Sequence, residues 1–162
     1  MNDVVLELAG IEPGSRLAGA VAKRADIFEL TQTTHDAAIT PSDPGGLSHG
    51  MRAALACRIA RLAANADLER HFRALLDRVG ASAVERRFAD LDFSGEDRRT
   101  SALIRHADLI ACDPKSATGG DIRLLGEAGV SDPDIVRLSE LVAFVSYQIR
   151  VVAGLKLMRA AS

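Results

Sequence analysis

Residues 47–72 read LSHGMRAALACRIARLAANADLERHF, and this stretch carries the clearest helical pattern in the chain. Ser48 is a residue type that caps helix N-termini, and Asn65 or Asp67 can cap a second helix. Apolar residues recur at helical spacing between these caps: Met51, Leu55, Ile59 and Leu62. The alanines that flank them let a neighbouring helix approach closely. The stretch therefore predicts two helices joined at a junction near Asn65.

The second helix of this pair continues as an amphipathic segment. Its apolar stripe consists of Leu68, Phe72, Leu75, Leu76 and Val79. Gly80 follows the stripe and is the residue type that most often ends a helix in the left-handed conformation. The pattern thus predicts that the second helix ends at Gly80.

Length and composition predict one folded domain. The chain has 162 residues, of which 48% are hydrophobic and 26% charged, as in ordinary globular proteins. Ala, Leu and Arg dominate and Trp is absent, a composition typical of helices. No alternating Val/Ile/Thr-rich run indicates a strand. We expect an all-α fold with an N-terminal helical extension, residues 1–46, and a helical domain, residues 47–162.

The charge pattern argues against nucleic-acid and membrane partners. The net charge is −2, without the basic face of a nucleic-acid binder. Met1-Asn2-Asp3 does not resemble the start of a signal peptide. The most apolar stretch, Leu141–Ala153, contains Gln148 and Arg150, so it is predicted to be a core helix and not a membrane span. We expect a cytoplasmic protein whose two cysteines, Cys57 and Cys112, are free and buried.

Caps and breakers place the remaining helices. A first helix follows Val4 and stops at Gly10, a second runs from Ser15 to about Arg24, and a third spans Asp26–Ile39 with Ile27, Leu30 and Thr34 on one side. Residues 40–46 form a loop, because two prolines and two glycines cannot continue a helix. Four caps open the later helices: Ser82 (to about Leu91), Ser94 (to Cys112), Thr118 (to Gly129) and Ser131 (the last and longest). The wide apolar face of this last helix predicts either the central core helix or a subunit interface.

The order of several short motifs resembles the alkylhydroperoxidase-D-like / carboxymuconolactone decarboxylase superfamily, in particular its peroxidase-related branch. The motifs are Leu47-Ser48 with Arg58, Ile59, Ala60 and Leu62; Leu109–Pro114 with Asp121, Ala128–Asp132 and Ile135; and Ala143-Phe144 with Arg150 and Gly154. The resemblance covers roughly residues 47–157. It implies an all-α bundle of packed helices that assembles into oligomers, commonly trimers or higher.

The resemblance also implies a reaction that this chain is not equipped to perform. In the peroxidase members, a Cys-x-x-Cys pair at a helix N-terminus reduces peroxide, because the helix dipole stabilises a thiolate. The two cysteine positions correspond here to Asn65 and Leu68, and the proton-relay Glu corresponds to Ala53. The family's His corresponds to His71 or to the adjacent Phe72. At most one of four functional positions is kept.

Two side chains are the remaining chemical candidates. His71 can move protons near neutral pH or can be a packed, hydrogen-bonded histidine. Arg150, in an apolar helix, can form a structural ion pair with Glu140 or with an acid from a neighbouring helix, or can bind a substrate carboxylate. His35, His49 and His106 are dispersed without metal-ligand spacing, so no metal site and no cofactor is predicted.

Three functional hypotheses follow. The first is a non-catalytic or accessory family member that forms a homo-oligomer, trimer or higher, or joins a cysteine-containing paralogue. The second is a cysteine-independent enzyme of the carboxymuconolactone-decarboxylase type, with His71 as acid/base and Arg150 holding the substrate anion. The third is residual peroxide reduction, an antioxidant activity, by Cys57 or Cys112.

Overall fold

The computed structural model describes residues 3–161, which fold into helices joined by turns without any β-strand in that range. The helices are α1 (Val4–Ala9), α2 (Arg16–Ala22), α3 (Ala25–Ile39), α4 (His49–Leu62), α5 (Ala66–Arg78), α6 (Ala83–Arg87), α7 (Arg98–Cys112), α8 (Gly119–Glu127) and α9 (Asp132–Ala160). A short 3₁₀ turn, Pro114–Ser116, links α7 to α8. The all-α prediction is confirmed.

Side-chain caps begin most helices at the predicted residues. The side chains of Ser15, Ser48, Asn65, Ser82, Thr118 and Ser131 each accept a hydrogen bond from a backbone N–H in the first turn of their helix. The predicted start of α7 at Ser94 was wrong. Asp97 caps that helix in a capping box with Thr100, and Gly95, at φ 100°, turns the chain just before it. A carboxylate next to the helix start outcompetes the more distant serine.

Helix α4 is the centre of the bundle. It lies against α5, α6, α7 and α9, and the residues from Arg52 to Ile59 are all buried. Four alanines in α4 have no exposed surface: Ala53, Ala54, Ala56 and Ala60. These small side chains allow the surrounding helices to pack closely on every side of α4.

Two buried arginines tie α4 to surrounding loops. Arg52, 2% exposed, donates hydrogen bonds to the carbonyl oxygens of Leu47, Ala38 and Pro44 and so fixes the loop that precedes α4. Arg58, 4% exposed, forms a bidentate pair with Asp108 of α7, at 2.6 and 2.7 Å.

The Arg58 guanidinium also organises the chain that follows α6. It donates to the carbonyl oxygens of Asp90 and Phe93, the latter at 3.1 Å. These contacts explain why α6 ends at Arg87 and does not continue to about Leu91 as predicted. The backbone turns there and presents its carbonyl groups to Arg58.

The N-terminal residues cover one side of α9. Both α1 and α3 contact α9, and α3 also contacts α4. The predicted face of α3 was wrong: Leu30 is 62% exposed and Thr34 is exposed, whereas the helix buries Thr31, His35 and Ile39. Met1 and Asn2, at the start of the predicted extension, and Ser162, at the end of the predicted domain, lie outside the described residues.

Helix α9 is the long core helix that the sequence predicts. Its 29 residues include an 18-residue window of mean hydropathy 1.5, which by length and composition alone is sufficient to cross a membrane. One side of α9 is buried against α1, α3, α4 and α7. Its apolar character is therefore explained by contacts within the bundle.

We predict that Arg58→Leu lowers the free energy of unfolding by about 3 kcal/mol or more, because it leaves Asp108 and several carbonyl groups without their partner. Chemical denaturation monitored by circular dichroism measures the change. Arg73→Ala is the matched control, since its ion pair with Glu69 lies on the surface and is worth less than about 1 kcal/mol. Equal losses in the two variants would show that Arg58 does not anchor the fold.

Candidate functional site

The junction between α4 and α5 is a tight, capped reversal. Asn65 donates its backbone N–H to the carbonyl oxygen of Ala60 at 2.9 Å, and its side-chain Oδ1 accepts from the Leu68 N–H at 3.0 Å. Between the helices Ala64 adopts φ 52°, the only positive φ of a non-glycine residue in the described chain. An alanine in this conformation carries a strain of about 1 kcal/mol. The caps on either side hold the reversal in place.

The positions that the resemblance assigns to redox groups are occupied by structural residues. Leu68 has no exposed surface and belongs to the hydrophobic core. Ala53, at the position of the relay acid, is also fully buried. The Asn65 side chain occupies the helix N-terminus as a cap. No group at these positions can form a thiolate or transfer a proton.

The two cysteines are in different surroundings. Cys57 is buried as predicted; its thiol lies 3.7 Å from the Glu69 carbonyl oxygen, and burial raises its pKa above the ordinary value. The prediction that Cys112 is buried was wrong, because it is the last residue of α7 and is exposed there. Both are free thiols. The buried Cys57 is protonated at neutral pH and is a poor nucleophile.

His71 lies beside a second histidine that the sequence did not place near it. The His71 and His35 ring centroids are 5.3 Å apart in an edge-on arrangement. Phe72 stacks on His35 at 6.0 Å, and Gln148 of α9 donates from Nε2 to His35 Nδ1 at 3.2 Å. His35, His71 and Gln148, hereafter the histidine cluster, thus join α3, α5 and α9. The prediction that His35, His49 and His106 are dispersed did not include His71, and nothing in the sequence indicated this contact.

Burial keeps the histidine cluster uncharged at neutral pH. Burial, helped by the nearby His35 and Arg78, lowers the pKa of His71 to about 4. Burial also lowers the pKa of His35. Within the described residues His71 Nε2 and Gln148 Oε1 are buried without a hydrogen-bond partner. His71 is packed but is not fully hydrogen-bonded, and a group that is protonated only near pH 4 is a poor general acid at neutral pH.

Arg150 lies on the exposed side of α9, which corrects the expectation of a buried arginine. Its Nη1 donates to the Ser146 carbonyl oxygen of the same helix at 3.1 Å, and no ion pair with Glu140 forms within the described chain. The side chain lines an open cavity of about 370 Å³ beside the junction. The other lining residues are Ile59, Leu62, Ala63, Ala111, Cys112, Ser146 and Ile149.

The structure does not bring Arg150 and His71 together. His71 lies with His35 near Gln148 and Phe144, which are buried on α9. Arg150 follows Gln148 by two residues, which corresponds to about 200° around a helix, and shares its exposed side with Ser146. The cavity lined by Arg150 does not include His71. A site that uses both side chains on one substrate is not supported.

Sequence reasoning missed the partners of His71. Thr31, His35 and Ile39 are spaced by four residues along α3 and define its buried side. This spacing is present in the sequence, but Thr31 and His35 are polar, so a search for apolar residues at helical spacing does not find it. Thr31 Oγ1 contacts the Tyr147 hydroxyl at 3.1 Å, and His35 pairs with Gln148, so each buried polar group has its partner on α9.

The comparisons with known proteins support the fold. The chain is similar to an uncharacterized peroxidase-related protein from Silicibacter sp. TM1040, with a TM-score of 0.69 and 14% identity, over 80% of this chain and 68% of that chain. No protein-family model matches the chain, and no curated protein matches it significantly. At this identity the similarity concerns the fold alone, an all-α arrangement of packed helices.

We predict that Asn65→Ala destabilises the protein by about 1 kcal/mol, because the Leu68 N–H loses its acceptor at the start of α5. Asn65→Asp is the matched variant, since its carboxylate can accept the same hydrogen bond and favours a helix N-terminus. Thermal denaturation compares the two. A protein in which both substitutions lower the midpoint equally does not depend on the cap.

The histidine cluster gives a pH prediction. The folded-state pKa of His71 is about 4, below the ordinary value of 6.5, so protons bind the unfolded chain more tightly. The contribution of neutral His71 to the free energy of unfolding is therefore fully present above pH 6.5 and is lost as the pH falls towards 4. After allowance for the half-buried ring, His71 accounts for about 2 kcal/mol of this loss.

The variant His71→Phe tests this assignment. Urea denaturation at a series of pH values between 8 and 4 should give a shallower decline in stability for His71→Phe than for the wild-type protein. His35 and His106, whose pKa values are also lowered by burial, account for part of the remaining decline. Identical slopes for the variant and the wild-type protein would show that His71 is not held neutral by the fold.

Proposed function

We propose that this chain is a non-catalytic or accessory member of the alkylhydroperoxidase-D-like / carboxymuconolactone decarboxylase superfamily. The observation that carries the proposal is the junction between α4 and α5, where Asn65 caps the helix and Leu68 is fully buried in the core. In this proposal the junction connects two helices and performs no reaction.

The chemistry of peroxide reduction supports this interpretation. A reactive thiolate needs an accessible sulfur whose pKa is lowered by a helix N-terminus or by nearby cations, and a second thiol to resolve the sulfenic acid. Here Asn65 uses the helix N-terminus, and Leu68 is inaccessible. Cys57 is buried with a raised pKa, so it is no substitute for the missing thiols.

The decarboxylase-type alternative has less support. It needs a histidine that exchanges protons close to an arginine that holds the substrate anion. The lowered pKa of His71 and the position of Arg150 on another side of α9 are both unfavourable for that arrangement. Residual peroxide reduction is favoured by one observation, namely that exposed Cys112 lines the same cavity as Arg150.

An accessory role implies a protein partner. We propose a homo-oligomer, trimer or higher, or a complex with a cysteine-containing paralogue, in the cytoplasm. The net charge of −2 supports a protein partner over a nucleic acid. Neither a cofactor nor a metal is part of the proposal.

A peroxide assay tests the proposal. The wild-type protein and the Cys57→Ser/Cys112→Ser variant are compared for consumption of hydrogen peroxide and an organic hydroperoxide, with dithiothreitol as reductant and a thiol peroxidase as positive control. We expect equal rates for the two proteins, no faster than the reductant alone. Wild-type turnover faster than the reductant alone would overturn the proposal, and its loss in a further single variant, Cys112→Ser, would assign residual peroxidase activity to Cys112.

A further inference from the structure

The exposed side of α9 carries a regular seam that contributes nothing to the core. Its residues are Val136, Glu140, Ala143, Tyr147, Arg150 and Gly154, hereafter the α9 seam. All six are exposed, Val136 to 56% and Tyr147 to 40%. Their spacing alternates between four and three residues, the repeat by which two helices pack in a coiled coil.

The α9 seam has no oppositely charged partner within the described chain. Glu140 and Arg150 form no ion pair there, and Arg150 is bonded only to the Ser146 carbonyl oxygen of its own helix. A Cβ atom added at Gly154 would meet no atom within 4 Å, so the surface there is open. Tyr147 is held in place by its hydroxyl contact with Thr31 at 3.1 Å. The seam is therefore an ordered surface with unused charges.

The shape beside the α9 seam suits a second helix. One open cavity, of about 600 Å³, lies between α3 and α9 and reaches Glu140 and Ala143. The cavity of about 370 Å³ lies on the other side and reaches Arg150. The exposed side of α9 thus lies between two depressions. Rows of side chains on a second helix can fit into such grooves.

The order of residues in the α9 seam is complementary to itself when reversed. Residues at equal distances before and after Val145 form three pairs: Ala143 with Tyr147, Glu140 with Arg150, and Val136 with Gly154. Each pair joins a large side chain to a small one or a negative charge to a positive one. Pro133 and Leu157 also lie at equal distances before and after Val145, and Leu157 is 73% exposed.

We propose that two copies of this chain associate through antiparallel α9 seams, with a two-fold axis near Val145. Tyr147 of each copy packs on Ala143 of the other, and Val136 packs at Gly154. Glu140 of each copy pairs with Arg150 of the other, so that the contact contains two equivalent ion pairs. A two-fold contact requires this reciprocity, because the same patch serves both copies.

The charges select this partner and this orientation. In a parallel arrangement Glu140 would face Glu140 and Arg150 would face Arg150, which is repulsive. A lipid surface is a poor fit, because both charges lie within the seam and would have to enter the apolar phase. The contact extends over about 27 Å from Val136 to Gly154 at 1.5 Å per residue. The inference concerns assembly and does not depend on whether the protein is catalytic.

Charge reversal with light scattering after size-exclusion chromatography tests the proposal. We expect the wild-type protein to contain an even number of 17.2 kDa chains, either one pair or several pairs joined into a larger assembly. Glu140→Arg and Arg150→Glu should each weaken association by about 100-fold or more, since like charges then meet twice. The double variant Glu140→Arg/Arg150→Glu should restore the assembly, because the ion pairs are exchanged and not lost.

Matched controls separate the seam from net charge. Glu12→Arg and Arg123→Glu make the same charge changes at exposed positions outside α9 and should leave the mass unchanged, and circular dichroism checks that every variant is folded. A larger even-numbered assembly that falls to half its mass in the single variants also supports the contact. A wild-type monomer at 100 µM, a trimer, single variants that stay associated, or a double variant that stays dissociated would each overturn it.

Discussion

The buried guanidinium of Arg58 is the interaction on which the arrangement of the other helices depends. It lies in the middle of α4 and is 4% exposed, so its charge is tolerable only where every N–H finds an acceptor. The carboxylate of Asp108 and the carbonyl oxygens after α6 supply those acceptors. Satisfying one arginine therefore positions α7 and the turn after α6 on α4. The alanines around it let α5 and α9 approach from the other sides.

The same packing determines what the junction can do. Helix α5 lies close enough to α4 for Leu68 to be completely buried, and Ala53 is buried without a polar side chain. A reactive thiol at the position of Leu68 would need solvent, which this packing excludes there, and a proton acceptor, which Ala53 does not supply. The capping hydrogen bond of Asn65 remains, since a helix N-terminus needs an acceptor whether or not it carries a reactive group.

Local features of the fold could be predicted from the sequence, whereas long-range pairings could not. The caps at Ser48, Ser82, Thr118 and Ser131 depend on residues within one turn and were predicted correctly. The buried side of α3 depends on partners in α9, 113 and 116 residues away, and was predicted wrongly. For the candidate site, the capped junction could be predicted, but the contact of His35 with His71 could not, because it arises only when three helices meet.

The two sides of the long helix α9 have different environments, one in the core and one at the surface. Its buried side carries Gln148 to the histidines and apolar residues to α4 and α7, and its exposed side carries Glu140 and Arg150. Hydropathy averages the two sides, so the helix has the mean hydropathy of a membrane span although Glu140 and Arg150 both lie on its exposed side. Burying either charge in a contact costs desolvation free energy, which lowers the stability of a purely apolar contact. Glu140 and Arg150 have opposite signs and lie at equal distances from Val145. This arrangement is better explained by a specific polar contact than by non-specific apolar packing.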